Sequence, residues 1–208
     1  MEEFKISTAI ADIPVGLSAA YGFWTLIGSA KWRLVSFGFF TISLTAFLYG
    51  LIAFSPSYTE GIHSVLKHAA QEIAFPLLCL PFFSISTGFQ FDNKINSILL
   101  LTLITLSILS HVLGLSGIYK LAIGVATSAV LIVSSANILK RSPLEKDLKN
   151  SAMFILAGAL LFIVDGIWIG KTGNLLGMPR FDLFLYISAI GIFFIAFATK
   201  LVTKERQS

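Results

Sequence analysis

Seven apolar runs follow one another along this chain, broken only by short polar segments. They extend over about Ser7–Ser29, Leu34–Phe54, His68–Phe89, Ile95–Leu115, Ile118–Leu139, Ser151–Gly170 and Phe181–Leu201. About 20 apolar residues in a helix match the roughly 30 Å of hydrocarbon in a bilayer. A lone strand leaves its backbone unsatisfied in lipid, and a barrel needs alternating segments of about ten residues, whereas these runs are continuous. The expected fold is therefore all-α: a polytopic membrane protein forming a seven-transmembrane-helix bundle.

Composition supports this reading and limits it. Of 208 residues, 56% are hydrophobic and 12% charged, against about 25% charged in ordinary soluble domains. Mean hydropathy is +0.86. No soluble interior of this size would enclose that much apolar surface. Seven spans use about 140 positions, and what remains is too divided for a separate extramembrane domain. Residues 1–208 are read as a single domain.

The net charge is +4, but the basic residues sit at span ends, so they point to topology and not to nucleic acid. Ten of the fifteen Lys and Arg residues fall on the side holding Lys31, Arg33, Lys94, Lys140, Arg141 and the C-terminal tail. The other side holds Lys5, Lys67, Lys120, Lys171 and Arg180. By the positive-inside rule this places the N-terminus outside and the C-terminus in the cytoplasm. The acidic start Met1-Glu2-Glu3-Phe4 lacks the basic region of a signal peptide. The compact chain without sorting signals suits a bacterial-type plasma membrane. Cys79 is the only cysteine, so no internal disulfide forms.

The polar residues inside the spans carry the functional signal. Asp12 lies in the first span and Asp165 in the sixth, beside Trp168. An acid at the centre of a span costs about 2.5–3.5 kcal/mol to insert, and normally faces the bundle interior. His111 lies in the fourth span, one turn after Ser107. His68 and Glu72 open the third span four residues apart and share a helix face. His63 reads as a loop residue in the wetter segment Ser55–Lys67. With the N-terminus outside, Asp12, His63, His68, Glu72, His111 and Asp165 all fall in the outer half, as around one outward-facing polar cavity. Asp12, Glu72, His111, Asp165 and Trp168 are the binding candidates. Imidazole and carboxylate suit zinc, so His68, His111, Asp12 and Asp165 are candidate metal ligands. No local His-x-x-x-His or His-Glu-x-x-His motif supports them.

Other features concern packing. Gly16 and Ala20 form a small-x-x-x-small pair, and Gly124, Ser128, Leu131 and Ser135 line one face of the fifth span. Pro76 and Pro81 should kink or break the third helix. A short turn is expected around Ser116-Gly117, and a helix start at Ser142-Pro143-Leu144-Glu145. No internal repeat of the transporter kind is visible.

Seven spans with the N-terminus outside is the rhodopsin arrangement. Retinal chemistry needs a lysine in the middle of the last span, and Phe181 to Thr199 contains none. In size and span number the chain is also similar to seven-span zinc hydrolases of the alkaline ceramidase and adiponectin-receptor type. Their last span bears paired histidines and this one bears none, so no residue is carried over. Three functions remain: a carrier or binder of a small solute or ion, a metal-dependent hydrolase acting on lipid, and a non-catalytic heptahelical sensor or accessory subunit.

Overall fold

A computed structural model describes residues 2–52, 56–141, 146–169, 173–175 and 177–205. Nine α-helices occur among them: α1 (Glu2–Leu26), α2 (Arg33–Ile52), α3 (Pro56–Ala69), α4 (Phe75–Leu77), α5 (Leu80–Thr87), α6 (Asn93–Val112), α7 (Ser116–Lys140), α8 (Lys146–Val164) and α9 (Arg180–Glu205). Seven helical segments are long and apolar enough to cross a membrane, with α3 to α5 forming one of them over Ile62–Thr87. The chain is a multi-pass, all-α membrane protein.

The third span departs most from a plain helix. The segment Ser55–Lys67, read from its polarity as a wetter connection, is helical from Pro56 and runs directly into the span, so His63 is a helix residue. Its ring stands 4.8 Å from that of Tyr49 on α2. Between Ala70 and Ala74 the helix opens into a π-helical turn, where the Phe75 amide donates to the Ala70 carbonyl five residues back. Near the two prolines the helix breaks at Leu78-Cys79, as their missing N–H groups dictate. The Cys79 thiol turns back onto the Pro76 carbonyl at 3.0 Å. A second π-helical turn, Asp165–Ile169, ends the sixth span.

Helix ends follow local chemistry. The Asp92 carboxylate accepts the Ile95 amide at 2.7 Å and caps α6. The α6–α7 turn lies at Gly114 (φ +70°). There the Leu115 amide donates to Ser110 O at 2.7 Å, a Schellman ending that a glycine in the left-handed region permits. Ser116 and Gly117, expected in the turn, are already helical. Residues 142–145, the expected helix start, lie outside the described residues, and α8 is described from Lys146. A two-residue antiparallel hairpin, β1 (Asn174–Leu175) with β2 (Met178–Pro179), leads into α9.

The bundle is held by close, polar-trimmed helix contacts. The α1 helix packs chiefly on α2 and α9, α8 lies between α7 and α9, and α6 contacts only α7 and the Ala70–Ala74 turn to any extent. Ser43 Oγ donates to Gly16 O at 3.0 Å, Ser135 Oγ to Ala152 O at 2.5 Å and Ser151 Oγ to Ala198 O at 3.0 Å. Small residues permit these approaches, as expected for Gly16 and Ser135. The core between them contains Phe39, Leu77, Phe82, Leu131, Ile155 and Ile195. Large apolar side chains also cover the outside, including Trp24, Val112, Leu121 and Ile167. That outward face suits lipid, where apolar exposure costs nothing.

Candidate metal centre

The π-helical turn in the third span orients the site. It buries Ala70, Glu72 and Ala74, and the Glu72 side chain is fully enclosed. One turn earlier, His68 presents Nδ1 to Glu72 Oε1 at 3.1 Å. From the end of α6, His111 presents Nε2 to the same oxygen at 3.1 Å. The two imidazoles meet edge to face with ring centres 4.3 Å apart. The other carboxylate oxygen, Oε2, accepts a short hydrogen bond from Ser107 Oγ. From the first turn of α7, Lys120 Nζ approaches Oε1 at 3.6 Å. The neighbouring Tyr119 hydroxyl is buried without a hydrogen-bond partner among the described residues and lies within electrostatic reach of Glu72.

This geometry suits a metal ion. One donor atom from each of His68, Glu72 and His111 lies within 4.8 Å of the other two. Ligands about 2.1 Å from a tetrahedral zinc stand roughly 3.4 Å apart. The two 3.1 Å separations to Glu72 Oε1 need only a few tenths of an ångström of adjustment, whereas the two imidazole nitrogens, within 4.8 Å of each other, would have to close by up to about 1.4 Å. Two histidines and one glutamate form a three-ligand zinc set that leaves a position open. The Ser107 hydrogen bond fixes the carboxylate from behind, as outer partners of metal ligands do.

Access is lateral. The His68 and His111 side chains are 32% and 36% exposed, whereas Glu72 is 0%. His111 precedes the Gly114 turn by three residues, and Lys120 follows the start of α7 by four. At 1.5 Å per residue the site lies about 5–6 Å below that end of the helices.

The other candidates stand elsewhere. Asp12 on α1 is buried and within electrostatic reach of Lys67 and Asp182. Asp182, on α9, accepts hydrogen bonds from Ser7 and Thr8 on α1. Asp165, at the start of its π-helical turn, accepts from Ser188 Oγ on α9 at 2.6 Å. Neither Asp12 nor Asp165 belongs to the group around His68 and His111. The Trp168 side chain lies outside the described residues. Two apolar-lined hollows of about 210 and 260 Å³ occur, one beside Phe83 and Val133 and one beside Pro14 and Phe193. Of the candidates whose side chains are described, none lines either hollow.

Sequence alone does not mark Lys120 and Ser107 as site residues. Ser107 carries a signal in sharing the His111 face one turn away; Lys120 reads only as a topological charge. Comparison with protein families, curated proteins and solved structures finds no match for this chain.

Proposed function

We propose that this chain is a membrane metalloprotein that holds a zinc-class divalent ion with His68, Glu72 and His111 and acts hydrolytically on a lipid. The convergence of two imidazole nitrogens from two spans on one carboxylate oxygen supports this reading. Bound there, such an ion supplies a Lewis acid and a water acidic enough to ionise near neutral pH. His68 and His111 hold and orient it, Ser107 fixes Glu72, and the exposed imidazole edges admit a substrate from the side. The shallow site matches the depth of lipid ester and headgroup bonds. The distribution of Lys and Arg supports placing the N-terminus and the site on the outer side of the membrane.

The test is metal content by mass spectrometry on detergent-purified protein, never exposed to chelator. About one zinc per chain is expected, falling below a tenth of that in His68→Ala and His111→Ala with helix content retained. Folded wild-type protein that takes up no divalent metal, even when zinc is added, sinks the proposal.

A second reading is favoured by the broken third span. Discontinuous helices and buried carboxylates such as Asp12 and Asp165 also serve carriers of ions or small solutes. Ion or proton flux into liposomes that stops in Asp165→Asn, in protein free of metal, would establish it instead.

A further inference from the structure

In the described structure, Lys120 Nζ pairs with Glu72 Oε1 at 3.6 Å, the same atom that faces His68 and His111. The ammonium and the carboxylate carry opposite unit charges. A divalent ion on Glu72 changes that balance. It takes over the carboxylate and leaves Lys120 without its counter-ion beside a second positive centre. Two positive centres this close repel each other, and an anion reaching both relieves the repulsion; the Lys120 side chain, 29% exposed, is open to one. The most economical partner is an anion of two negative charges that reaches both centres. A phosphate monoester carries close to that charge near neutral pH and offers three acceptor oxygens. Tyr119, the preceding residue, has a buried hydroxyl without a partner among the described residues and within electrostatic reach of Glu72, and can donate to one of them.

We propose that Lys120 occupies the place of the metal's charge until the ion arrives, and then, with Tyr119, binds a phosphate monoester. This rests on the metal reading above and names its substrate class: a lipid with a terminal phosphate, or phosphate itself, approaching at the His68–His111 edge. The positions of the groups argue for it. Lys120 and Tyr119 lie in the first turn of α7, His111 near the end of α6, and the Gly114 turn holds these ends together.

Zinc affinity and headgroup response together test the idea. Removing a competing cation 3.6 Å from a ligand oxygen should strengthen zinc binding in Lys120→Met by about tenfold. Lys120→Arg, which keeps the charge, should stay near wild type and control for altered packing. Zinc-loaded wild-type protein in nanodiscs containing phosphatidic acid should then unfold at a higher temperature than in phosphatidylcholine alone. Lys120→Met should lose that difference, and Tyr119→Phe should reduce it. Inorganic phosphate added to phosphatidylcholine discs separates the sources. Equal stabilisation by free phosphate supports the phosphate site with a soluble ligand, and stabilisation by phosphatidic acid alone supports a lipid ligand.

Zinc affinity unchanged in Lys120→Met, or no response to either phosphate source in zinc-loaded wild type, overturns the proposal while leaving the metal centre standing. Wild type that binds no zinc overturns the metal centre itself.

Discussion

A buried acid in a membrane protein is informative through its partners. Glu72 has two histidines, a serine and a lysine around it, whereas Asp182 has the two hydroxyls of Ser7 and Thr8. The first set brings nitrogen ligands to a carboxylate; the second ties α1 to α9. Asp182→Ala should therefore cost about 1–3 kcal/mol, because it removes the acceptor that Ser7 and Thr8 share across α1 and α9, and leave zinc content unchanged. Reversible unfolding in detergent, paired with metal analysis, checks both halves. At this scale sequence was a partial guide. The i, i+4 spacing of His68 and Glu72 put them on one face, and His111 stood out as a histidine within a span. Which acid would join them was illegible. Asp12, Asp165 and Glu72 all fall in the same half of the bundle, and only the packing of α6 and α7 against the third span selects Glu72.

Elements were more legible than contacts. Span number and approximate bounds follow from hydropathy because lipid demands long apolar helices, and the break near Pro76 and Pro81 follows from proline itself. The π-helical turns at Ala70–Ala74 and Asp165–Ile169 have no such signature in residue type. Each contains an intramembrane acid, and such turns recur at functional sites. The first is braced by Gly38 on α2. A β-carbon there would lie 2.9 Å from the Ala74 carbonyl oxygen, a backbone atom that can move only with its turn. Gly38→Ala should lower stability by about 1–3 kcal/mol, and should weaken zinc binding by shifting Glu72. Gly124→Ala is the contrast: a β-carbon there meets nothing within 4 Å, so the gain in helix propensity of up to about 1 kcal/mol should stand. Thermal unfolding of the two variants side by side distinguishes steric brace from simple composition.

Across the whole molecule, the contacts set one end apart from the other. Near one end lie Ser7 with Asp182, Tyr49 with His63, His68 with His111, and Asp165 with Ser188. Near the other, Arg141 donates from Nη1 and Nη2 to the carbonyls of Ile85 and Ser86 at 2.8 and 2.5 Å. The acids and histidines expected from sequence to share one half are held in distinct clusters: Glu72 with His68 and His111, and Asp165 with Ser188. Which end faces the cytoplasm is a question the lone thiol makes tractable. Cys79 is half-enclosed at the break in the third span, with its sulfur turned onto Pro76. The protein therefore comes close to carrying a chemical blank: a maleimide too polar to cross lipid should find little to modify in the native chain. A cysteine placed at Asn93 or at the exposed Leu115 would then be the conspicuous nucleophile in the molecule. In intact cells Leu115→Cys should label from outside and Asn93→Cys only after the membrane is opened, and the reverse pattern would turn the bundle over.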